Sequence, residues 1–246
     1  MLLKAIICEV LTREIESLIP GSPHEVDVEI LTMGLHDLGV SMRPHVQQRI
    51  DSADEFGYDA IVLGYALCGK GCEGLRAAKT RLVIPRAHDC LGLLMGSRHR
   101  FLEYFENHPG VYYRSPGWIQ FQKPGQRLEQ ATLSKRNIIG ERRSLDELIE
   151  EYGEDNGRFL FEQFTSYRRK YSGLTYISTG VAEEEPLVRQ ARTEAEQEGW
   201  AFEAVGGSLD LLRRLLNGEW DTNDFLIVPP GAAVSATLGD GIFEAI

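Results

Sequence analysis

Three chemically reactive side chains follow one another at the end of a predicted strand. The stretch LVIPRAHDC, residues 82–90, begins as an apolar run and ends in His88, Asp89 and Cys90. Imidazole, carboxylate and thiol groups can bind a metal ion, transfer a proton or attack a substrate. Packing alone seldom brings three such groups to one strand end, so we expect this triplet to have a function.

The other cysteines indicate which function to expect. The chain has four cysteines, which is not a disulfide framework for a protein of this length, so metal binding, reactive thiols and simple burial are the alternatives. Cys8 and Cys68 end predicted strands, as Cys90 does, and His36 follows a further strand. If these strands are parallel, their ends meet at one edge of one sheet, where open α/β folds bind ligands.

This convergence predicts a metal site. Thiolate and imidazole are the usual ligands of zinc, and thiolates also hold iron–sulfur clusters. The predicted ligands are the side chains at these strand ends, namely Cys8, His36, Cys68, His88 and Cys90. Cys72 begins a predicted helix, and its spacing from Cys68 is not that of a zinc ribbon, so its role stays open between ligand and bystander.

Two alternatives to a metal site use the same residues. Cys90 or Cys68 is a candidate nucleophile, with His36 or His88 as its base. A cysteine at a strand end is also often a simple core residue, because cysteine is among the most buried residue types. The number of thiols favours the metal, since a nucleophile needs only one.

The corner itself predicts different roles for its residues. If it is extended, side-chain alternation puts His88 and Cys90 on one side and Asp89 on the other. His88 and Asp89 are then the candidates for catalytic proton transfer. Asp89 is predicted either to orient a ligating imidazole or to cap the helix that follows it.

Three further residues are predicted to contact a substrate. Arg86 lies next to the triplet, where its guanidinium is suited to bind an anionic group of a substrate or partner. Tyr65 and Trp118 are predicted to line a pocket beside the site, and Tyr113 is a further candidate for this lining. A pocket of this kind would favour an enzyme, whereas a closed shell of ligands would favour a structural or sensor role.

The predicted elements form an α/β fold. Short apolar runs alternate with segments of helical periodicity, which indicates an open, mainly parallel sheet with helices on both faces. The first strands are predicted to end at Cys8, Thr32, Cys68 and Cys90, and later strands lie in residues 174–180 and 224–231. Helices are predicted over residues 11–19, 42–55, 72–79, 91–109, 183–200 and 208–220, and residues 144–173 form a helical stretch broken near Gly153 or Gly157. We expect one domain over residues 1–246, with two lobes, 1–110 and 140–246, as the alternative.

Charge and hydropathy exclude several classes of partner. The formal net charge is −11, which argues against general affinity for nucleic acid or anionic membranes. No apolar run is long enough to span a bilayer, and the first residues form a predicted strand rather than a secretion signal. We therefore expect a cytoplasmic protein with a small-molecule ligand.

Several blocks of the sequence resemble a known family. ICEVL, GLHDLG, LGYALCGKG, VIPRAHDCLGLLMGSR, SPGWIQ and GEWDTNDFLIVPPG are similar, in this order, to blocks of the family catalogued as domain of unknown function 1638. In the resemblance, the recurring polar positions are Cys8, His36, Cys68, Arg86, His88, Asp89 and Cys90. Cys72 departs from it, since an apolar residue is commoner there. The resemblance implies a prokaryotic protein associated with corrinoid-dependent methyl transfer from methylamines and betaines.

The residues and the resemblance together lead to one favoured function. We expect a zinc- or iron-binding thiolate protein of one-carbon metabolism. The candidate activity is that of a methyltransferase that acts with a corrinoid protein. A corrinoid is not expected to bind directly, because GLHDLG has Gly34 where a corrinoid-binding D-x-H-x-x-G motif has aspartate. A non-catalytic metal or redox sensor, an assembly factor and a metal-free cysteine enzyme are the alternatives.

Overall fold

The structure is a computed structural model that describes residues 1–32, 42–121, 145–165, 170–181, 183–237 and 241–246. The predicted ligand His36 therefore lies outside the described residues. No helix within these ranges is long and apolar enough to cross a membrane.

The larger sheet is mainly parallel and contains the strands that lead to Cys8, Cys68 and Cys90. Strands β1 (Leu2–Cys8), β2 (Glu25–Leu31), β3 (Ala60–Gly64) and β4 (Leu82–Pro85) are parallel in the order β2-β1-β3-β4. A later strand, β8 (Phe225–Val228), pairs antiparallel with β4 at the edge. The predicted open, mainly parallel sheet is confirmed.

Helices cover both faces of the larger sheet, as predicted. Helices α1 (Thr12–Leu18) and α9 (Asp210–Leu216) pack against the face that carries Ile7. Helix α2 (Met42–Ala53) packs against the opposite face, which carries Ile6. Because successive side chains of a strand point to opposite faces, the strongly apolar strands supply both layers of the core.

A smaller sheet forms from the middle of the chain. Strands β5 (Val111–Arg114), β6 (Gly173–Ser178) and β7 (Ala201–Gly206) are parallel, in that order. Helices α5 (Pro116–Phe121) and α8 (Glu185–Glu198) pack against this sheet around a small apolar core. The chain then returns to the larger sheet through α9 and β8. Whether the chain is one domain or two lobes stays a prediction.

Shorter elements complete the described part of the chain. Helices α3 (Cys90–Leu94) and α4 (Arg98–Asn107) follow β4, and α6 (Leu145–Tyr152) and α7 (Glu154–Thr165) precede β6. Strands β9 (Val234–Ala236) and β10 (Phe243–Ala245) form an antiparallel pair near the C-terminus. Single 3₁₀ turns span Glu9–Leu11, Ile19–Gly21 and Cys68–Lys70.

Two strands end earlier than predicted. Strand β3 ends at Gly64 instead of Cys68, and β4 ends at Pro85 instead of Cys90. Pro85 has no backbone N–H to continue a ladder, which explains the end of β4. The ends of β1, at Cys8, and of β2, at Leu31, agree with the prediction to within one residue.

The helical predictions were right where the pattern was strong and wrong near glycines. The predicted helix 91–109 is two helices, α3 and α4, because Gly96 adopts φ +73° and its Cα lies against Ser208. The predicted break at Gly153 is confirmed, and this residue has φ +81°. Residues 72–79 form a turn, an isolated β-bridge from Arg76 to Ala233 and a bend instead of the predicted helix. Strand β7 was missed, because its exposed edge position gives it no apolar run.

Candidate functional site

The candidate site lies at the carboxyl edge of the larger sheet, where the chain order reverses. Strand β1 lies between β2, which follows it in sequence, and β3, which follows β2. Open α/β sheets bind ligands at the carboxyl ends of strands at such a switch point. Cys8 is the last residue of β1 and therefore stands at this position.

The segments that follow β3 and β4 continue to pair beyond the regular strands. The backbone N–H of Leu67 donates to the carbonyl of Ala87 at 3.0 Å, and that of Cys68 donates to the carbonyl of His88 at 2.9 Å. These bonds bring Cys68 beside the His88–Cys90 corner. The early ends of β3 and β4 therefore do not separate the two cysteines.

Three free thiols lie at this edge, one at the end of β1 and two in the segments that follow β3 and β4. Cys8, Cys68 and Cys90 are all unoxidised, and Cys8 and Cys68 pack against the same apolar cluster that contains Cys90. Burial raises the pKa of Cys8 to about 11 and raises those of Cys68 and Cys90 well above the usual thiol value. The thiols are therefore protonated at neutral pH in the metal-free protein.

The turn that carries Cys68 has an uncommon backbone conformation. Cys68 has φ +46° and Lys70 has φ +97°, although neither is a glycine. Residues with side chains adopt positive φ rarely and at a cost in free energy, and such residues cluster at functional sites. This outlier supports a functional role for the turn Cys68–Lys70.

A helix beside the smaller sheet contacts this edge of the larger sheet. Helix α5 approaches the turn Glu9–Leu11 so closely that a Cβ on Gly117 would lie 1.9 Å from the carbonyl oxygen of Val10. The next residue, Trp118, donates from Nε1 to Sγ of Cys90 at 3.2 Å. Trp118 therefore lies at the predicted site, where its indole contacts a thiol directly.

Two buried tyrosine hydroxyls, one near the thiols and one near Asp89, have no hydrogen-bond partners in the described part of the chain. They belong to Tyr65 and Tyr113. Burial, followed by the thiols of Cys8 and Cys68, raises the pKa of Tyr65, and burial and then Asp89 raise that of Tyr113 to about 12. A buried hydroxyl without a partner is costly, so both are candidate contacts for a ligand.

The side chains at the corner after β4 differ from the prediction in their burial. His88 is exposed and Cys90 is buried, so the prediction that both face one side is wrong. The physical reason is that Cys90 is the first residue of α3, where extended alternation no longer applies. Asp89 is the N-cap of this helix, and its Oδ1 accepts from the backbone N–H groups of Leu91 and Gly92 at 3.0 and 3.1 Å.

Arg86 contacts the backbone of the C-terminal part of the chain. Its guanidinium donates to the carbonyls of Thr222, Phe225, Gly241 and Phe243. These contacts give Arg86 a structural role that the sequence did not indicate. Its binding of an anion stays a prediction.

Two features of the predicted site remain, namely the position of Cys72 and the arrangement of possible metal ligands. Cys72 is fully buried in the core that α2 covers, and burial raises its pKa to about 12. Among the described residues, no group of three or more His, Cys, Asp or Glu side chains is arranged to hold a metal ion. The predicted ligand His36 lies outside those residues.

The fold and the site define a class of protein: an open α/β protein with free thiols at the switch point of its main sheet. A family model described as "Protein of unknown function (DUF1638)" matches residues 30–216. The chain belongs to this family. No curated protein and no solved structure matches the chain.

Proposed function

We propose that the protein binds a thiophilic metal ion, with zinc as the first candidate, through Cys8, Cys68 and Cys90. The observation that carries this proposal is the placement of three free thiols at the carboxyl edge of the larger sheet, one at the end of β1 and two in the segments that follow β3 and β4, all packed on one apolar cluster. An iron–sulfur cluster is the alternative occupant, since it uses the same thiolate ligands.

The chemistry of these donors fits a metal ion. Burial raises the pKa of each thiol, and a bound divalent cation offsets this by stabilising the thiolates. The described side chains are not yet arranged around a metal, so metal binding would require the thiols to draw closer together. His88 or His36 stays the predicted fourth ligand.

We propose further that this site serves methyl transfer in the cytoplasm. A bound zinc ion would supply a Lewis acid that lowers the pKa of an incoming thiol at neutral pH. The hydroxyls of Tyr65 and Tyr113 would hold polar groups of a small substrate, and Trp118 would exclude water from Cys90. The family resemblance makes a corrinoid protein the proposed partner.

A metal-free cysteine enzyme fits the site less well. A nucleophilic cysteine needs a thiol pKa that is lowered by a cation or an adjacent base. The thiols here have raised pKa values, and the ring of His88, the candidate base beside Cys90, is exposed. In the part of the chain that the structure describes, no cation or base lowers the pKa of Cys68 or Cys90, and burial outweighs the hydrogen bond from Trp118 to Cys90.

A non-catalytic metal sensor is the second candidate function. The exposure of His88 favours it, because the described residues then place no histidine base beside the thiols. A sensor site would close its metal shell with protein ligands, whereas a catalytic site would leave one position open.

Metal analysis of protein purified without oxygen tests the proposal. We expect about one zinc ion per chain in the wild-type protein, loss of this metal in Cys90→Ser, and retention in Cys72→Ser. Cys72 is the matched control, because its buried thiol lies in the core beneath α2. Less than about 0.2 zinc or iron per chain in a folded wild-type protein would contradict the proposal.

Cobalt substitution separates the two candidate functions. A small thiol added to the cobalt-loaded protein would change the ligand-field spectrum if one metal position is open. An unchanged spectrum would favour the sensor over the methyltransferase.

A further inference from the structure

A second cluster of buried polar groups lies at the carboxyl end of β6, where the smaller sheet meets helix α1. Its members are Glu14 on α1, Tyr176 near the end of β6, Thr179 just after that strand, and Glu184 at the start of α8. We propose that Glu14, Tyr176 and Glu184 bind a hard divalent cation of the Mg²⁺ or Ca²⁺ class.

The two carboxylates share one hydroxyl group. The Oγ1 of Thr179 lies 3.0 Å from Oε1 of Glu14 and 3.3 Å from Oε1 of Glu184. A hydroxyl has one hydrogen, so it can donate to only one of these oxygens at a time. The backbone N–H groups of Thr179 and Gly180 donate to the same Oε1 of Glu184 at 2.9 and 2.8 Å. The protein therefore holds one oxygen of each carboxylate in place.

The remaining oxygens of the cluster have no partner. Glu14 Oε2, Glu184 Oε2 and the hydroxyl of Tyr176 are buried and form no hydrogen bond of normal geometry in the described part of the chain, although the Tyr176 hydroxyl lies near enough to the Glu184 carboxylate for that carboxylate, after burial, to raise the pKa of Tyr176. Tyr176 and Glu14 are both 0 % exposed. Buried polar groups are nearly always satisfied, so three unpartnered oxygens in one cluster indicate a missing ligand.

The charge of the cluster indicates a cation. Neither carboxylate forms an ion pair with a described basic side chain, although Arg13 is near enough to influence Glu14 electrostatically. Burial, followed by the influence of Glu184, raises the pKa of Glu14. One water molecule could bridge the free oxygens, whereas a cation would also offset the cost of ionising the buried Glu14 carboxyl.

The donor set selects the class of cation. All available donors are oxygens, two of them carboxylate oxygens, and this set suits Mg²⁺ or Ca²⁺ with water molecules completing the shell. Thiophilic metals prefer the cysteines at the other site. The proposal does not depend on the thiol site, since the two clusters share no residue.

The position of the cluster gives the cation a structural consequence. Glu14 belongs to α1, which covers the larger sheet, whereas Tyr176 and Glu184 belong to the smaller sheet and its helix. A cation bound by both sets would fasten the two sheets together. Its binding would therefore stabilise the native protein, by an amount that rises with the logarithm of the cation concentration once that concentration exceeds the dissociation constant.

Calorimetric titration of chelator-treated full-length protein with MgCl₂ and CaCl₂ tests the proposal. We expect saturable binding of one cation per chain at roughly millimolar or lower concentration. Glu184→Gln and Tyr176→Phe should weaken binding, by about tenfold or more for the carboxylate variant. Glu185→Gln is the matched control, because it removes the same charge at the next position of the chain, where the side chain is exposed and paired with Arg189. Cys90→Ser should bind the cation as the wild-type protein does.

Thermal unfolding of Glu14→Gln separates a cation site from a simple buried acid. In metal-free buffer at neutral pH this variant should melt above the wild-type protein, because it removes a buried charge. Saturating cation should raise the wild-type melting temperature and leave that of the variant unchanged. Absence of saturable binding in the wild-type protein, or unchanged affinity in both Glu184→Gln and Tyr176→Phe, would overturn the proposal and leave a water-filled acidic pair.

Discussion

The indole Nε1 of Trp118 donates a hydrogen bond to Sγ of Cys90 across 3.2 Å. This bond joins helix α5, beside the smaller sheet, to the first residue of α3 at the carboxyl edge of the larger sheet. A donor that faces a sulfur stabilises the thiolate, and the bond lowers the pKa of Cys90 against the larger effect of burial. Trp118 thus favours ionisation of the thiol that we propose as a metal ligand.

Trp118→Phe should raise the pKa of Cys90, since phenylalanine keeps an aromatic ring but has no donor. The measurement is the pH midpoint of alkylation at each cysteine, resolved by mass spectrometry in the metal-free protein. Trp220→Phe is the control, because Trp220 donates its Nε1 hydrogen to the backbone carbonyl of Leu215 at 2.8 Å and not to a thiol. Both variants should lose about 0.5–1.5 kcal/mol of stability with the lost hydrogen bond. An equal Cys90 midpoint in the two variants would contradict the assigned role of Trp118.

Asp89→Ala should lower the free energy of unfolding by about 1 kcal/mol, because Asp89 caps α3 through two backbone N–H groups. Asp89→Asn should lose less, since its amide oxygen can still accept these bonds. Ser97→Ala provides the comparison, because Ser97 is the N-cap residue of α4 but makes no side-chain capping bond. Urea denaturation measures all three variants, and a loss in Asp89→Ala no greater than that in Ser97→Ala would show that the cap contributes nothing.

The positions of the cysteines were predictable because they depend on strand order and direction. Alternating apolar and helical segments indicate parallel strands, and parallel strands put their carboxyl ends at one edge. Cys8 therefore meets Cys68 and Cys90 even though β3 and β4 end several residues before those cysteines. The error in the lengths of β3 and β4 did not affect the predicted positions of the cysteines, because the residues after each strand continue along the same edge of the sheet.

The contacts of individual side chains were not predictable in the same way. The four carbonyls that Arg86 contacts belong to residues 222–243, and no local pattern links them to Arg86. The exposure of His88 depends on α3 beginning at Cys90, a boundary that one residue of error obscures. Glu14 did leave a signal in the sequence, since it lies at helical spacing from the buried Leu11 and beside the buried Ile15.

Gly117→Ala should destabilise the protein by about 1–3 kcal/mol, because the new Cβ would overlap the carbonyl oxygen of Val10. The backbone at this contact cannot move aside as a flexible side chain could. Gly206→Ala is the control, since a Cβ there meets no atom within 4 Å. Chemical denaturation should show a small effect in the control, and comparable values for the two variants would mean that α5 does not pack tightly on the turn after β1.

Zinc binding should release protons in a number that reports how many thiols ligate the metal. Burial holds the pKa of Cys8 at about 11 and those of Cys68 and Cys90 well above the usual value, so each is protonated at neutral pH in the metal-free protein. Each thiol that binds zinc as a thiolate must then lose one proton, and zinc affinity should rise about tenfold per pH unit for each such thiol. The rise should continue with increasing pH until the thiols ionise in the metal-free protein, near pH 11 for Cys8.

Titration of weakly buffered protein with zinc in the presence of a pH indicator measures this release. We expect about three protons per zinc ion for the wild-type protein and about one fewer for Cys90→Ser under conditions in which residual binding occurs. Cys72→Ser should release as many protons as the wild-type protein, because Cys72 lies in the core beneath α2. Zinc that bound with no proton release would be held by groups other than thiols, since thiols with raised pKa values cannot bind it without losing their protons.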